Sequence, residues 1–295
     1  MDAKTLQARL LELIRRTSCE LPPDVIRAVD KGWRREKPGT NAKYAFGVIR
    51  DNIKLAAGKS QPLCQDTGTI ICDVARPDWV SERAFRAAFE KAVDEATRIG
   101  YLRQNSVDSI TGRNSGNNLG PGSPVIHFHE TTAKALTARL MLKGGGCENV
   151  GAQYSLPDTG LGAGRDLEGV RRCVLDAVNK AQGKGCGPGV LGVCIGGDRA
   201  TGYVASKEAL LRPLDDVHAD PVLAKLERRL LDEANTLGIG PMGFGGATTL
   251  LGVKITARNR VPASYFVSVS YMCWAYRRDG FQLSAAGKIA KWLYD

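Results

Sequence analysis

Apolar residues recur at helical spacing through the first part of the chain. This pattern predicts helices over 4–17, from Pro22-Pro23 to about Glu36, and from Asn41 to about Ala57. Proline has no N–H to lose in the first turn of a helix, so the Pro22-Pro23 pair is typical of a helix start. Residues 1 to about 60 are therefore predicted to form a helical segment.

The remainder of the chain mixes β-type apolar runs with amphipathic segments. The predicted strands are 70–74, 124–129, 133–142, 190–195, 248–256 and 264–272. The predicted helices are 81–98 with Ser81 as N-cap, 166–182, 200–210, 221–237 and a short one over 285–293. Twice, two strands follow each other without a helix between them, which favours a mixed sheet over a strictly doubly wound one. We expect a mixed α/β (α+β) fold: a helical N-terminal part followed by a mixed sheet with flanking helices, with 1–295 as one domain.

The composition is that of an ordinary globular chain. Hydrophobic residues make up 43% and charged residues 24% of the 295 residues. The N-terminus lacks the apolar region of a signal peptide, and no run approaches the roughly 18 apolar residues of a spanning helix. A cytoplasmic location without membrane association is expected.

The net charge of +10 is open to two interpretations. It could attract an anion such as a small dicarboxylate or a nucleic acid, or it could be ordinary surface basicity. The basic residues are scattered along the chain, and aromatic residues are only 6%. Because single-stranded nucleic acids are bound on interleaved aromatic side chains, no nucleic-acid partner is expected.

The eight cysteines show no paired spacing, so a metal site would have to be assembled from distant segments. Disulfides are not expected in a cytoplasmic chain. Three cysteines lie in apolar or helical runs, which are typical of buried thiols: Cys72, Cys173 and Cys194. A fourth, Cys19, follows the first helix and has no residues with candidate chemistry beside it. Four lie in loops or at strand ends beside glycine, proline or polar residues: Cys64, Cys147, Cys186 and Cys273. The residues alone do not choose three ligands from these four.

Three stretches carry most of the candidate chemistry. Residues 64–67 place a thiol, an amide, a carboxylate and a hydroxyl side by side, between a helix and a strand. Residues 103–122 are rich in hydrogen-bonding side chains and are predicted to form an ordered binding loop. Glycines 144–146 follow a strand, and their backbone N–H groups could together bind an anion. Taken alone, Asp66 is more typical of a turn-capping residue than of a catalytic one.

Six motifs, in this order, resemble the class I (iron–sulfur) fumarate hydratases. They are Cys64-Gln-Asp-Thr-Gly, Leu102-Arg-Gln-Asn-Ser, Lys143-Gly-Gly-Gly-Cys-Glu-Asn, Cys186-Gly-Pro-Gly, Gly238-Ile-Gly-Pro-Met-Gly-Phe-Gly-Gly and Cys273-Trp-Ala-Tyr-Arg-Arg. The resemblance extends from about Asp24 to Arg278 and is closest to the α subunit of the two-subunit form. The α subunit of L(+)-tartrate dehydratase is a near relative of that form.

The resemblance implies a 4Fe–4S cluster held by Cys64, Cys186 and Cys273. Relatives commonly have serine at the position of Cys147, so this cysteine is not expected to be a ligand. Three ligands leave one iron without a protein ligand, and an open coordination position lets a metal act as a Lewis acid. The resemblance therefore implies a hydro-lyase that hydrates fumarate to (S)-malate reversibly.

The same resemblance implies roles around the cluster. Asp66 would be the acid/base group, and Gln65 would bind substrate. Arg103 would bind one substrate carboxylate, since a planar guanidinium suits that task. Gly145 and Gly146 would offer backbone N–H groups to the other carboxylate.

The family's active site is completed by a second domain, and this chain ends near where that domain would begin. The resemblance therefore implies an α subunit, inactive alone, with a β subunit as obligate partner in a heterodimer or heterotetramer. L(+)-tartrate or a related dicarboxylate is the alternative substrate, and a noncatalytic cluster-carrying subunit is a further alternative. Val261 replaces a histidine common in relatives, which leaves the substrate open.

Overall fold

A computed structural model describes residues 1–295, which form two compact units. Unit 1 comprises Met1–Pro23, Asp51–Gly145 and Ala275–Asp295. Unit 2 comprises Asp24–Arg50 and Gly146–Trp274. Each unit has its own sheet and its own apolar core.

Eight α-helices and nine strands make up the chain. The helices are α1 (Ala3–Cys19), α2 (Pro23–Arg35), α3 (Asn41–Lys59), α4 (Glu82–Arg98), α5 (Gly145–Asn149), α6 (Leu167–Ala181), α7 (Arg199–Ala209) and α8 (Pro221–Thr236). The strands are β1 (Thr69–Arg76), β2 (Val125–Glu130), β3 (Leu136–Lys143), β4 (Ala152–Ser155), β5 (Gly189–Gly196), β6 (Leu250–Arg258), β7 (Phe266–Met272), β8 (Arg278–Leu283) and β9 (Ile289–Trp292). Two short 3₁₀ turns lie at Gln182–Gly185 and Pro241–Gly243. None of the helices combines the length and apolar content that a membrane crossing needs.

Unit 1 is built on a five-stranded sheet in the order β2-β1-β3-β8-β9. β1 runs parallel to β2 and antiparallel to β3, so the sheet is mixed. Apolar faces of α1 and α4 contribute Leu10, Phe85 and Phe89 to the same core as the buried sheet residues. Because β3 lies beside β1, the carboxyl end of β3 lies next to Thr69, where β1 begins.

Unit 2 is built on a four-stranded sheet in the order β4-β7-β5-β6. β5 pairs in parallel with β6 and antiparallel with β7. All eight residues of β5 are buried, which explains why its sequence is a continuous apolar run rather than an alternating one. Residues of α6 and α8 belong to the core of this unit.

The predicted mixed α/β fold is confirmed. The predicted helices are also confirmed, and they correspond to α1 to α4 and α6 to α8. The helix predicted over 285–293 is wrong, because this segment contains β9, which pairs with β8. The Trp292 ring packs edge-on against Phe281 at 5.8 Å, so a cross-strand contact stabilises the segment in place of helical periodicity. The short strands β4 and β8 and the short helix α5 were not predicted.

Candidate functional site

The loop that carries Cys64 to Thr67 is anchored at both ends within unit 1. Before the loop, the Leu63 N–H donates to the carbonyl of Ser18 at 3.0 Å, and the Asn52 amide donates to the Leu63 carbonyl at 2.8 Å. After the loop, Gly68 has a φ of +77°, and a Cβ there would lie 2.3 Å from the carbonyl oxygen of Lys143. The loop therefore packs directly on the end of β3, at a distance that only glycine permits.

The Asp66 carboxylate is held by donors from two distant segments. Its Oδ2 accepts from the Gly145 N–H at 2.7 Å, and its Oδ1 accepts from the Asn105 amide at 3.1 Å. Its backbone carbonyl accepts from Arg277 Nη1 at 2.7 Å. The side chain is half-buried. The carboxylate is thus oriented by residues far away in the sequence rather than by capping its own turn.

Arg103 and Gln65 present exposed side chains in the same unit. The backbone of Arg103 is fixed, because its N–H donates to Thr67 Oγ1 at 3.2 Å and its carbonyl accepts from the Asn118 amide at 2.7 Å. Thr67 follows Asp66 directly. A single threonine therefore connects the loop of the carboxylate to the backbone of the arginine.

The polar segment 103–122 is ordered by hydrogen bonds, as predicted. Its central residue is Asn118, which is buried and has a left-handed φ of +63°. Besides the carbonyl of Arg103, its amide donates to Thr97 Oγ1 at 2.9 Å, and its Oδ1 accepts from the Asn105 N–H at 2.8 Å. Asn118 thus supports both Arg103 and Asn105, which in turn contacts Asp66.

In unit 2, three cysteine-bearing segments converge. Cys186 is exposed and has a left-handed φ of +53° at the end of a 3₁₀ turn. Its carbonyl accepts from the N–H of Trp274, the residue after Cys273, at 3.2 Å. A Cβ at Gly146, the residue before Cys147, would lie 3.5 Å from the carbonyl of Lys184 in the same 3₁₀ turn.

The shared neighbour of these segments is Tyr271, whose ring is buried. A Cβ at Gly185 or Gly189 would come within 2.5 Å or 2.3 Å of this ring, so both positions require glycine. Burial raises the pKa of Tyr271, and the charges of Cys273, Cys147 and Cys186 raise it further. The segments of Cys147, Cys186 and Cys273 thus meet in unit 2. Thiols are soft ligands that suit zinc or an iron–sulfur cluster.

The other thiols behave as buried apolar groups. Cys19, Cys72, Cys173 and Cys194 are buried, and none of the eight cysteines is in a disulfide. Burial raises the pKa of Cys19 and of Cys194 to about 11 and that of Cys173 to about 12, and it also raises the pKa of Cys72. The prediction of small, buried core residues is therefore confirmed for Cys72, Cys173 and Cys194.

The predicted site residues divide between the two units. Unit 1 holds Cys64, Gln65, Asp66, Arg103 and Gly145, and unit 2 holds Gly146, Cys186 and Cys273. Sequence reasoning did not assign Asn105 or Arg277 to the surroundings of Asp66. Both residues lie in quoted motifs, Leu102-Arg-Gln-Asn-Ser and Cys273-Trp-Ala-Tyr-Arg-Arg, but nothing local in the sequence shows that either contacts Asp66.

The exposed side chain of Val261 lies in a loop of unit 2. The neighbouring Arg260 donates through Nη1 to the carbonyls of Val261, Pro262 and Ser264 at 3.0 to 3.2 Å. The loop is therefore shaped by its own arginine, and it presents an apolar side chain at this position.

The chain is similar to known proteins over nearly its whole length. A family model described as fumarate hydratase (fumerase) matches residues 7–282. The chain is 50% identical over 293 residues to a Geobacillus stearothermophilus protein provisionally named class I fumarate hydratase, covering 98% of this chain and 57% of that protein. It therefore spans little more than half the length of this relative.

Two further relatives are close to this chain in length. A Methanocaldococcus jannaschii protein, provisionally named L(+)-tartrate dehydratase subunit alpha, is 34% identical over 275 residues, with 91% of this chain and 94% of the relative covered. The L(+)-tartrate dehydratase subunit alpha of Escherichia coli K12 is 32% identical over 266 residues, with 88% and 85% covered.

Proposed function

Because this chain belongs to the fumarate hydratase family, we propose that it is the α subunit of an iron–sulfur hydro-lyase. The reaction is the reversible hydration of fumarate to (S)-malate. One observation carries this proposal: the Asp66 carboxylate is oriented by the Gly145 N–H and the Asn105 amide, while Thr67 ties the same loop to the backbone of Arg103.

Asp66 is the proposed acid/base group. Hydration adds a proton to one carbon of the double bond and a hydroxyl group to the other, and dehydration removes both. A carboxylate fixed at both oxygens is suited to hold and transfer that proton in one direction. Its half-buried position leaves it open to substrate while limiting its contact with water.

The substrate carboxylates need cationic or N–H donors. Arg103 is proposed to bind one of them, because its backbone is fixed while its guanidinium is exposed. Gln65, exposed and adjacent to Asp66, is proposed to contribute an amide to substrate binding. The Gly145 N–H already donates to Asp66, so we assign Gly145 a positioning contribution and retain Gly146 as the donor to the second carboxylate.

Three cysteine thiolates are a donor set whose chemistry suits a 4Fe–4S cluster. Cys186 and Cys273 belong to segments that meet in unit 2, and Cys64 is half-buried in unit 1, two residues before Asp66. We propose that these three cysteines hold the cluster, with Cys147 as a neighbouring thiol rather than a ligand. When bound, a cluster with three protein ligands supplies an iron with an open coordination position, which acts as a Lewis acid on the C–O bond.

A β subunit is the proposed partner. The relatives from Methanocaldococcus jannaschii and Escherichia coli that match this chain in length are both named as alpha subunits. We therefore propose that turnover requires a heteromer with a β chain that completes the site. The cytoplasmic location predicted from the sequence is part of the same proposal.

L(+)-tartrate is the second candidate substrate. Its dehydration would use the same carboxylate, arginine and cluster, and the two relatives of similar length carry its name. Fumarate is favoured because the relative named for it has 50% identity, against 34% and 32% for the other two.

The proposal is tested by anaerobic co-expression with a candidate β chain from the same organism and assay of both substrates. Iron and sulfide are measured for the wild type and for Cys64→Ala, Cys186→Ala, Cys273→Ala and Cys147→Ala. We expect about four irons and four sulfides per chain, lost in the first three variants and kept in the fourth. A faster reaction with L(+)-tartrate than with fumarate would favour the second substrate.

Two results would overturn parts of this proposal. A cluster that depends on Cys147 but not on Cys64 would overturn the ligand set. An intact cluster without turnover of any dicarboxylate would instead indicate a noncatalytic, cluster-carrying subunit.

A further inference from the structure

Arg277 lies immediately before β8 and is 1% exposed. Its Nη1 donates to the backbone carbonyl of Asp66 at 2.7 Å. Its own carbonyl accepts from the N–H of Leu142, near the end of β3, at 3.0 Å. One residue is therefore bonded both to the loop that carries Asp66 and to the strand that leads to Gly145.

The Arg277 guanidinium and the Asp66 carboxylate both border Gly144. A Cβ at Gly144 would be 3.0 Å from Asp66 Oδ2 and 3.7 Å from Arg277 Nη2. A side chain at position 144 would therefore press on the Asp66 carboxylate. The distance between the Asp66 carboxylate and the Gly145 N–H is set by two segments, and Arg277 contacts both.

The bonding of Arg277 does not indicate a residue kept for stability alone. Its Nε is buried without a hydrogen-bond partner, although a buried charged group normally has its donors satisfied. Such an imperfectly paired buried cation costs folding free energy. Its near-complete burial also excludes direct contact with a substrate in this conformation.

We infer that Arg277 is a positioning residue that sets the orientation of the Asp66 carboxylate. It acts through the Asp66 backbone and through the end of β3, and its planar fork supplies a direction that an ammonium group cannot reproduce. The catalytic part of this inference rests on the proposed function, in which Asp66 transfers a proton.

The kinetic test is a double-mutant cycle in the assembled, cluster-containing enzyme. Arg277→Lys is combined with Asp66→Asn, and kcat and KM are measured for fumarate. Misplacement of a reacting group by about 1 Å costs about 100-fold in rate, so we expect Arg277→Lys to lower kcat by up to that factor with little change in KM. In the Asp66→Asn background the same substitution should have almost no further effect.

The matched control is Arg16→Lys. Arg16 also belongs to unit 1 and forms an ion pair with the buried Asp279 at 2.7 Å. Arg16→Lys therefore weakens the hydrogen bonding of another arginine in the same unit. It should lower the melting temperature without the loss of kcat. If Arg277→Lys does not fold, Arg277→Gln replaces it, because an amide keeps one donor without the charge.

A second measurement does not depend on activity. Amide hydrogen exchange of Gly145, followed by NMR in a chain labelled with ¹⁵N-glycine, reports the hydrogen bond from this N–H to Asp66. We expect at least a severalfold faster exchange in the Arg277 variant than in Arg16→Lys.

The outcomes separate the two proposals. Unchanged exchange at Gly145, or an equal loss of kcat with and without Asp66, would overturn the positioning inference. A wild-type enzyme without dicarboxylate turnover would overturn the proposed function, while the exchange measurement would still decide whether Arg277 orients Asp66.

Discussion

The Asp66 carboxylate and the Gly145 N–H, 79 residues apart in the sequence, are joined by a hydrogen bond of 2.7 Å. The bond connects the loop before β1 to the start of α5, two residues after the end of β3. Since β1 and β3 are adjacent antiparallel strands, the sheet itself brings these two ends together. The position of the proposed acid/base group therefore depends on strand pairing and not on the loop alone.

Asp66→Asn is expected to abolish proton transfer while preserving the shape of the loop. The amide cannot ionise, and general acid–base catalysis typically contributes about 10² to 10⁴ in rate, so kcat should fall by about that factor. The measurement is steady-state fumarate hydration by the assembled enzyme, with iron content determined in parallel. Asp94→Asn, an exposed carboxylate on α4, is the control and should retain full activity. Full activity of Asp66→Asn would remove Asp66 from the reaction.

Asn118 is expected to be essential for the order of the 103–122 loop. Its amide and carbonyl make hydrogen bonds to Arg103, Asn105 and Thr97, and its φ is +63°. Asn118→Gly keeps the left-handed backbone but loses these bonds, and the buried groups left unpaired should cost about 1–3 kcal/mol. Hydrogen exchange of the peptides that cover the loop measures this cost.

Asn118→Ala provides the comparison for the backbone conformation. Alanine loses the same bonds and also disfavours the left-handed region, by about 1–2 kcal/mol. The alanine variant should therefore exchange faster than the glycine variant. Equal exchange in the two variants would show that the positive φ is not retained in solution.

The sequence predicts the helices and strands whose apolar pattern lies within the segment itself. It does not predict those that depend on contacts with distant segments. The amphipathic helices were predicted because their apolar spacing is contained in the segment itself. β8 was missed because it begins with the charged pair Arg278-Asp279, which is nevertheless buried. Arg278 lies between the rings of Tyr276 and Tyr294 at 4.3 and 4.5 Å, a partnership that the sequence does not reveal.

The candidate site follows the same division. The family resemblance implies roles for Cys64, Asp66 and Arg103, which the residues alone leave open. Local sequence alone favours a turn-capping Asp66, whereas its partners Asn105 and Gly145 lie 39 and 79 residues away. The contacts that orient the carboxylate are set by the tertiary structure and could not be predicted from the loop.

Thiol reactivity should divide the cysteines by burial. In the native, cluster-free chain under reducing conditions, iodoacetamide is expected to modify the exposed Cys186 first. The four core thiols, Cys19, Cys72, Cys173 and Cys194, should remain unmodified, because burial raises the pKa of each and excludes the reagent. Mass spectrometry of tryptic peptides gives the order of modification, and a denatured sample shows that every site can react. Early modification of a core thiol would contradict its placement.

Cys194 should make the fold sensitive to alkaline pH. Burial raises the pKa of its thiol from 9.0 to about 11 in the folded state, so the unfolded chain releases this proton first. The contribution of Cys194 to stability is therefore complete below about pH 9 and is lost as the pH rises towards 11. Cys194→Ala removes this titration, and its melting temperature should fall less steeply over that range than that of the wild type.

Ile195→Val, at the residue after Cys194 in β5, is the control for lost packing. It also deletes a methyl-sized group from β5, but it removes no titrating group, so its melting temperature should decline with pH as steeply as that of the wild type. Thermal unfolding of the three proteins at half-unit pH intervals distinguishes the effects of charge and of volume. If Cys194→Ala and the wild type lose stability in parallel, the alkaline sensitivity arises from other groups and the Cys194 thiol does not ionise on unfolding in this range.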